Sequence, residues 1–380
     1  MRPRRALLLT NDFPPLSGGI AGYLYGLWSH LPREQTVILA PKIEGWRAFD
    51  RTHDLRIYRR SYFWSLPFPL DKAARILLPL FYLQSILRRE RIDILHCGHV
   101  LTAGIVGLIL KRLLRMPYAV YAYGADLLDY ERYRTLARLQ RRVLQEAEGV
   151  VTIGDYSVDL LRNLGVPADR IVKVLMGIDT ARFRPDLSGQ VVRDRHKLGQ
   201  RPVLLTVARL VARKGHDMVI QALPAIRKTV PGVAYVIVGS GPERMRLEQL
   251  AAELQLENVV FFAGFVPEAD LPEYYAAADC VVLCSRQIGT DVEGAGNVTL
   301  EASASGRPVI VGQSGGTREH VRHNETGLLV DPTDPRAIAD AAIALLQDRD
   351  MALRLGRQGR RMIEEEFVWE KTAAPLSRLL

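Results

Sequence analysis

Short runs of apolar residues recur along the chain, and most of them end in a glycine-containing or polar loop. Runs of this length are typical of strands buried on both faces of a parallel sheet. They predict strands at residues 6–10, 36–40, 55–58, 92–96, 118–123, 150–153, 171–175, 203–207, 235–238, 259–262, 280–284, 309–311 and 327–330.

Helical patterns separate most of these strands, at residues 20–31, 100–114, 131–146, 157–164, 218–227, 243–254, 271–277 and 335–347, and from 351 onward. Alternation of strand and helix predicts doubly wound α/β domains. Residues 186–201 are polar and poor in apolar side chains, so we place a linker there. The predicted fold class is therefore α/β, with two Rossmann-like domains facing each other across a cleft.

The composition is ordinary for a globular protein of 380 residues, with 48% hydrophobic and 24% charged residues. The cysteines Cys97, Cys280 and Cys284 are too few and too odd in number for a disulfide framework, which favours a reducing, cytoplasmic compartment. The first apolar run ends early at Thr10, so it predicts a strand and not a signal peptide. No segment approaches the roughly 18 apolar residues of a transmembrane helix.

The net charge of +9 belongs entirely to the first half of the chain. Residues 1–180 contain 26 lysines and arginines against 17 aspartates and glutamates, whereas residues 181–380 contain 25 of each kind. This asymmetry favours an anionic partner for the first half: a membrane surface, an acidic substrate or nucleic acid. A basic surface that only solubilises the protein is the alternative.

Residues 56–91 interleave basic and aromatic side chains around an apolar run at residues 76–83. The basic and aromatic residues of this segment include Arg59, Arg60, Tyr62, Phe63, Trp64, Phe68, Lys72, Arg75, Arg88, Arg89 and Arg91. The run is too short to span a bilayer, but its basic flanks suit a helix on an anionic membrane surface. A basic substrate groove fits the same pattern, and so does a buried helix with solvated ends.

The segment from Asp291 to Ala302 places Glu293 and Glu301 eight positions apart, with glycines after the first and a helical pattern near Asn297. Glycines permit close approach of backbone amides, and a helix N-terminus favours an anion. A carboxylate beside an anion is repulsive unless it accepts hydroxyl donors, which sugars and ribose supply. The segment therefore indicates a nucleotide sugar. Two glutamates without a ligand, the second favoured by the helix dipole, are the simpler alternative.

Cations and glycines follow other predicted strands of the second half. Arg209 and Lys214 follow one strand, and Gly239, Gly264 and the Gly315–Gly316 pair follow others. Because the carboxyl ends of parallel strands share one edge of a sheet, these residues are expected to line one crevice. Arginine supplies a planar fork and lysine a point charge, as a diphosphate requires. We expect these cations to neutralise the leaving group without a metal.

Other polar residues are candidates with simpler structural roles. The pairs His96–His99 and His320–His323 have a spacing found among metal ligands, but each lacks an evident third ligand, which favours structural histidines. Asp12 and Asp126 are candidate bases at strand ends. Capping of a helix or turn explains each of them equally well.

Over essentially its full length the chain resembles the glycosyltransferase family 4 enzymes of GT-B architecture. The motifs that carry the resemblance are Thr10-Asn-Asp-Phe-Pro-Pro, Gly18-Gly19, Gly177-Ile-Asp179, Phe183-Arg-Pro185, Arg209 with Lys214, Gly239-Ser-Gly-Pro242, Glu293 with Glu301, and Ser314-Gly-Gly316. Within that family the chain is most similar to bacterial mannosyltransferases of the phosphatidylinositol-mannoside type, which share the Asn-Asp-Phe-Pro-Pro opening and a similar Asp-Val-Glu-Gly run.

The resemblance implies a division of roles between two domains. Residues 1–185 would bind the acceptor, residues 186–363 would bind the nucleotide-sugar donor, and a last helix at about 364–380 would cross back to the first domain. The implied donor-binding residues are Gly19, Arg209, Lys214, Gly239, Gly264, Val266, Glu293, Asn297, Val298 and Glu301. The implied catalytic residues are Glu293, Lys214, Arg209, Tyr123 and Asp126.

The resemblance also implies how the donor is held. Arg209 and Lys214 are expected to bind the diphosphate, Glu293 the donor sugar and Glu301 the ribose hydroxyls, while the backbone of Val266 contacts the base. Three further residues are expected to border the phosphates or the sugar: Gly19, Asn297 and Val298.

Two positions depart from the family pattern: Tyr123, and Met176, which precedes Gly177 where the family has an asparagine. Tyr123 stands where the family commonly has a histidine that touches the donor sugar. Tyr123 or Asp126 is therefore expected to take over that contact, and the substitution puts the identity of the sugar in question.

These inferences predict a retaining, metal-independent glycosyltransferase that uses a GDP- or UDP-sugar, with mannose from GDP-mannose favoured, and needs no cofactor. The family's usual mechanism is front-face attack, with the leaving phosphate taking the acceptor's proton. We expect a lipid-linked or glycan acceptor, peripheral contact with the inner face of the plasma membrane, and no nucleic acid. The alternatives are a nucleotide-sugar epimerase of the same architecture, which would turn over donor without acceptor, and a non-catalytic basic binding protein.

Overall fold

The computed structural model of the chain separates into two compact units. Unit 1 contains residues 1–177 and 369–380, and unit 2 contains residues 178–368. The structure describes residues 4–16, 18–61, 70–128, 130, 133–289, 291–294 and 296–380. Each unit is built on one sheet of parallel strands, which confirms the predicted α/β class with two Rossmann-like domains.

The described residues of unit 1 form seven strands: β1 (Ala6–Leu9), β2 (Thr36–Pro41), β3 (Ile57–Arg60), β4 (Ile94–Cys97), β5 (Tyr118–Ala122), β6 (Gly149–Thr152) and β7 (Ile171–Lys173). They pair in parallel in the order β3-β2-β1-β4-β5-β6-β7. Parallel strands between helical layers are covered on both faces, so their side chains are apolar throughout. Leu7, Leu8 and Leu9 accordingly are at most 2% exposed.

The part of unit 1 that precedes unit 2 also forms, within its described residues, the helices α1 (Gly19–Ser29), α2 (Trp46–Phe49), α3 (Leu70–Glu90), α4 (Thr102–Leu114), α5 (Ala125–Leu128), α6 (Arg134–Glu146) and α7 (Asp155–Asn163). Side chains of α4 and α6 pack on β4 and β5 to form the core of the unit. Val106, Tyr118 and Val143 of this core are fully buried.

In unit 2 the part of the chain that the structure describes forms six strands: β8 (Val203–Val207), β9 (Ala234–Val238), β10 (Val260–Gly264), β11 (Cys280–Leu283), β12 (Val309–Gly312) and β13 (Leu328–Val330). They are parallel, in the order β10-β9-β8-β11-β12-β13. Its helices are α8 (Gln190–Arg195), α9 (His216–Thr229), α10 (Arg244–Glu253), α11 (Leu271–Ala277), α12 (Asn297–Ala304), α13 (Pro335–Gln347) and α14 (Arg349–Glu366). The segment 186–201 contains the short helix α8 and belongs to unit 2.

In each sheet the strands are first added on one side of the first strand and later on its other side. In unit 1 the chain moves outward from β1 to β2 and β3, and then β4 is added on the other side of β1. In unit 2 the same reversal separates β8 from β11. Loops leaving two such strands diverge and open a crevice at their carboxyl ends, where doubly wound sheets bind ligands. The expected ligand crevices therefore follow β1 and β4 in unit 1, and β8 and β11 in unit 2.

The end of the chain belongs to unit 1. After α14 come α15 (Trp369–Thr372) and a 3₁₀ helix at Ala374–Leu379, so the helix predicted at about 364–380 is interrupted. Trp369 occupies the space beside Gly26, where an added Cβ would lie 2.1 Å from the indole ring. Packing of the returning segment therefore requires glycine at that position of α1.

The basic and aromatic segment at 56–91 forms β3 and α3. Residues 62–69, with Tyr62, Phe63, Trp64 and Phe68, lie outside the described residues. Within α3, Leu77 is 62% exposed and Phe81 is 74% exposed, so the apolar run of this helix is only partly covered. Among the helices that the structure describes, none is long and apolar enough to cross a membrane.

Candidate active site

The crevice of unit 2 contains a compact group of charged side chains. Arg213 and Lys214 come from the loop after β8, and Glu293 comes from the loop after β11. Arg213 Nη1 and Lys214 Nζ both donate to Oε2 of Glu293. Their side chains are only 11–12% exposed, so the ion pairs are largely removed from water. We call these three residues the charge cluster.

Arg213 bridges two carboxylates. Besides its bond to Glu293, its Nε lies 2.9 Å from Oδ1 of Asp291, which is a more exposed residue of the same loop. Ser285 Oγ lies 3.5 Å from Glu293 Oε2. The contacts to Glu293 all use its Oε2, and its Oε1 has no hydrogen-bond partner among the residues that the structure describes. The cluster therefore fixes the carboxylate through one oxygen and leaves the other available.

The electrostatics of the crevice favour an anion. Burial lowers the pKa of Lys214, as do the charges of Arg213 and Arg209, while Glu293 acts in the opposite direction. Burial acts to raise the pKa of Glu293, but the charges of Lys214 and Arg213 outweigh it and lower that pKa. Three cations thus face the two carboxylates of Glu293 and Asp291, which leaves an excess of positive charge for a ligand to neutralise.

Arg209 supplies the third of these cations. Its side chain is exposed at the end of β8, and it lies near enough to Lys214 to lower the pKa of that lysine. Within the described part of the chain its guanidinium has no hydrogen-bond or ion-pair partner. A guanidinium in this state can bind a phosphate through two parallel hydrogen bonds. The structure therefore brings together Arg209, Lys214 and Glu293, as the sequence predicted.

Glycines let the surrounding loops pack closely. Gly239 has φ of 136°, and a Cβ there would lie 2.0 Å from the carbonyl oxygen of Ala208. At Gly315, with φ of 56°, a Cβ would lie 2.3 Å from the carbonyl oxygen of Glu293. Side chains are excluded at both positions, so the approach of these loops depends on glycine. Gly264, by contrast, faces open space.

Glu301 lies one turn inside α12, and Tyr275 Oη donates to its Oε2 at 2.6 Å. Burial is the main reason that the pKa of Glu301 rises to about 7, and the nearby charge of Glu268 adds to it. The Tyr275 hydrogen bond and the charge of Arg182 oppose this rise. Donation by ligand hydroxyls favours the ionised form of such a carboxyl group. A ribose diol is a ligand of this kind.

The other residues predicted for the donor lie at the same edge of the sheet. Asn297 and Val298 are half-buried in the first turn of α12. Val266 is 8% exposed and follows β10, and its neighbour Phe265 is 67% exposed. Their roles toward a donor remain predictions.

Of the residues predicted in unit 1, Tyr123 and Asp126 closely follow β5. Gly19 is exposed at the start of α1. Tyr123 Oη donates to the carbonyl oxygen of Gly98 at 3.0 Å, and the Tyr123 amide donates to Asp126 Oδ1 at 2.8 Å. Burial raises the pKa of Tyr123 well above its ordinary value. Tyr123 is thus neutral, and because its hydroxyl already donates to Gly98, it can meet a sugar hydroxyl as an acceptor or by exchanging this bond.

Sequence reasoning missed Arg213 and Tyr275. Arg213 directly precedes Lys214, but the sequence does not tell which of two adjacent cations turns toward Glu293. Tyr275 belongs to a Tyr274–Tyr275 pair on an apolar helix, where burial in the core is the ordinary expectation. The excess of basic residues after β8 was the one sequence feature that could have pointed to Arg213.

The histidine pairs make contacts within the protein. His96 is fully buried, with Nδ1 3.2 Å from Tyr121 Oη, and burial lowers its pKa to about 4. His323 Nδ1 accepts from a backbone amide, and His320 packs edge-on against Phe367. No group of histidine, cysteine or acidic residues suited to a metal occurs in the described ranges.

Each unit matches the model of a known protein family. A glycosyl transferase 4-like domain model matches residues 18–177, within unit 1. The model for glycosyl transferases group 1 matches residues 190–362, within unit 2.

Curated relatives match along almost the whole chain. The chain is 36% identical to the GDP-mannose-dependent alpha-(1-6)-phosphatidylinositol monomannoside mannosyltransferase of Mycobacterium tuberculosis H37Rv, over 99% of this chain and 98% of that protein. It is 30% identical to the GDP-mannose-dependent monoacylated alpha-(1-6)-phosphatidylinositol monomannoside mannosyltransferase of Corynebacterium glutamicum, with 99% and 98% covered.

Solved structures share the fold. Anabaena Alr3699/HepE in complex with UDP and glucose has a TM-score of 0.82 and 22% identity, covering 99% of each chain. A glycosyltransferase from Rickettsia africae has a TM-score of 0.82 and 18% identity, covering 100% of this chain and 98% of the other. Because two family models and near full-length relatives agree with this fold, the chain belongs to the GT-B glycosyltransferases, with a family-4-like first domain and a group 1 second domain.

Proposed function

We propose that this protein transfers mannose from GDP-mannose to a mannosylated phosphatidylinositol. The observation that carries the proposal is the charge cluster, because it joins a sugar-binding carboxylate to phosphate-binding cations in the crevice of unit 2. The choice of donor and acceptor rests on the curated relatives, two of which are named as GDP-mannose-dependent mannosyltransferases of phosphatidylinositol monomannoside.

Arg209 and Lys214 hold the donor diphosphate. The Lys214 ammonium has three N–H donors, and its bond to Glu293 uses one of them, so the ion pair and a phosphate can be held together. Arg213 keeps Glu293 in place, and the available Oε1 of Glu293 accepts a hydrogen bond from a sugar hydroxyl. The cluster thus orients sugar and diphosphate relative to each other.

The same cations promote departure of the leaving group. Negative charge grows on the nucleoside diphosphate as the bond from its oxygen to the sugar breaks, and nearby fixed cations stabilise that charge most in the transition state. We propose that the departing phosphate oxygen takes the proton of the acceptor hydroxyl on the same face of the sugar. The configuration at the anomeric carbon is then retained, and no metal is needed.

Glu301 binds the ribose hydroxyls, and the backbone near Val266 contacts the base. The first role is supported by the raised pKa of Glu301, since a partly buried carboxyl group with a pKa of about 7 gains from hydroxyl donors. Neither role distinguishes guanine from uracil.

Unit 1 binds the acceptor and meets an anionic membrane surface. The excess of basic residues lies in the first half of the chain. On α3, Leu77 and Phe81 are exposed, and on α4 Leu113 and Leu114 are 74% and 60% exposed beside Lys111, Arg112 and Arg115. Exposed apolar side chains flanked by cations suit a peripheral contact with anionic lipid. A phosphatidylinositol acceptor is presented at such a surface.

The test combines donor selection with product analysis. Thermal shifts with GDP-mannose, UDP-glucose and ADP-glucose identify the preferred donor, and incubation with phosphatidylinositol monomannoside and GDP-mannose is followed by mass spectrometry of the lipid. We expect stabilisation by GDP-mannose and a product heavier by one hexose. Stabilisation by another donor alone, or donor turnover that is the same without lipid, would contradict the proposal.

A further inference from the structure

Unit 1 has its own pair of titratable side chains in its expected ligand crevice. Asp12 lies in the loop after β1, and His99 lies in the loop after β4. These are the two strands between which the sheet of unit 1 reverses direction. A ligand crevice is expected at this point on topological grounds alone. The sequence favoured a structural role for His99 and left Asp12 equally as a base or a cap.

The two side chains are joined directly. His99 Nε2 lies 2.6 Å from Asp12 Oδ2, with side-chain exposures of 21% and 33%. An ionised carboxylate only accepts, so Nε2 carries the hydrogen. The Asp12 amide donates to Thr10 Oγ1 at 3.0 Å, which fixes the start of this loop. Oδ1 of Asp12 has no hydrogen-bond partner in the described ranges, and the side chain remains accessible to a ligand.

Nearby polar groups are already engaged. Tyr123 donates its hydroxyl to Gly98 and its amide to Asp126. The side-chain amide of Asn11 donates to Thr102 Oγ1 at 3.2 Å. Asp12 therefore presents a carboxylate oxygen to the crevice, whereas the donors of Tyr123 and Asn11 are bonded to other residues.

The arrangement repeats that of unit 2. There, Glu293 is held through one oxygen by Lys214 from the loop on the other side of the crevice, and its second oxygen is available. In unit 1, Asp12 is held through one oxygen by His99 in the same topological setting. A carboxylate fixed in this way repels anions and accepts hydrogen bonds from hydroxyl groups.

We propose that Asp12 binds a hydroxyl group of the acceptor's polyol ring through Oδ1, and that His99 is the positioning residue that holds Asp12. The inference deepens the proposed function and rests on it. It adds a hydroxyl-binding site within the otherwise basic unit 1, so that a lipid acceptor is recognised by its sugar or cyclitol ring as well as by its phosphate. His99 acts through Asp12 and does not touch the acceptor.

The test compares four variants with the full-length wild type. Asp12→Asn removes the carboxylate charge, and His99→Ala removes the imidazole that positions Asp12. His99→Gln keeps an N–H donor close to the position of Nε2. Asp169→Asn changes an exposed aspartate elsewhere in unit 1 and serves as the matched control. For each protein, the acceptor KM with phosphatidylinositol monomannoside, the Kd for GDP-mannose and the slow hydrolysis of GDP-mannose without acceptor are measured.

We expect Asp12→Asn and His99→Ala to raise the acceptor KM by about tenfold or more, with GDP-mannose Kd and hydrolysis within about twofold of wild type. His99→Gln is expected to recover most of the loss. An unchanged acceptor KM in Asp12→Asn, an equal loss of donor binding, or no recovery in His99→Gln overturns the inference. Wild type that binds GDP-mannose but transfers nothing to this lipid contradicts the proposed acceptor and the inference together.

Discussion

Tyr275 donates a hydrogen bond of 2.6 Å to Oε2 of Glu301, joining a fully buried ring to the carboxylate proposed to bind ribose. The ring of Tyr275 packs edge-on against Phe183, with centroids 5.7 Å apart. Arg182 in turn lies over the Phe183 ring at 4.9 Å. The position and the charge of Glu301 therefore depend on α11 and on the segment that opens unit 2.

Donor affinity is expected to rise with pH across neutrality. The pKa of Glu301 is raised to about 7, mainly by burial, and ribose hydroxyls bind its ionised form better. About a tenth of the group is ionised at about pH 6 and about nine tenths at about pH 8. The Kd for GDP-mannose, measured by calorimetry, should fall by up to about tenfold between these values. Glu301→Gln should show weaker binding with little pH dependence, and an equally flat wild-type profile would refute this assignment.

The raised pKa of Glu301 also predicts that the protein becomes less stable as pH rises. The folded state binds the Glu301 proton more tightly than the unfolded chain, whose carboxyl has the ordinary pKa of 4.5. The wild type therefore loses stability from this group as pH rises from 4.5 to about 7. Glu301→Gln removes the ionisation, so its Tm relative to wild type should increase over that range. A Tm difference that stays constant with pH would speak against a raised pKa.

Tyr275→Phe is expected to move the pH dependence of donor binding upward. The hydrogen bond from Tyr275 lowers the pKa of Glu301, so its loss raises that pKa further, while the ring keeps its contact with Phe183. The midpoint of the pH profile for GDP-mannose binding measures the effect. Tyr274→Phe is the matched control, because Tyr274 is also buried on α11 but its hydroxyl contacts His196. Equal shifts in both variants would show that Tyr275 has no particular role.

Glu293→Gln is expected to destabilise the protein. Neutralising this carboxylate leaves Lys214 and Arg213 as adjacent, mostly buried cations, and breaking a buried pair costs about 3 kcal/mol. For a unit of this size the loss corresponds to a fall in Tm of about 6–12 °C. Differential scanning calorimetry measures it, with the exposed Glu257→Gln as control. A Tm within about 2 °C of wild type would mean that the ion pairs are not formed in solution.

The parallel strands were predictable because coverage on both faces makes each of them a continuous apolar run. The strand Val203–Val207 and the helices Leu271–Ala277 and Pro335–Gln347 end where the sequence predicts. The end of the chain was less predictable, since its path depends on Trp369 filling the space beside Gly26. That contact joins residues far apart in the chain and has no local signature.

The candidate site also contains residues that were predictable from the sequence and residues that were not. Lys214 and Glu293 were predicted because basic and acidic residues follow strands that share one edge of the sheet. Arg213 and the Tyr275–Glu301 bond were missed, since each depends on which way a side chain turns after folding. Asp12 and His99 were noticed separately, but their contact became apparent only once β1 and β4 were adjacent.

Exposed apolar residues of unit 1 are expected to support membrane binding. Replacing Phe81 and Leu113, each 74% exposed, by serine removes apolar area that would insert between lipid headgroups. Co-sedimentation with vesicles containing phosphatidylinositol should weaken by about tenfold, and wild-type binding should fall with added salt. Met245→Ser, at an 81% exposed position of unit 2, is the control. Wild-type binding that is insensitive to both salt and anionic lipid would contradict the membrane contact.

The central claim is that the charge cluster and Arg209 bind the diphosphate of a sugar nucleotide. Calorimetric titration of GDP-mannose into wild type, Lys214→Ala and the exposed-site control Lys228→Ala tests it most directly. We expect a Kd at least about tenfold higher in Lys214→Ala, which corresponds to a loss of about 1.4 kcal/mol of binding free energy, and an unchanged Kd in Lys228→Ala. Equal affinity in all three proteins would contradict it.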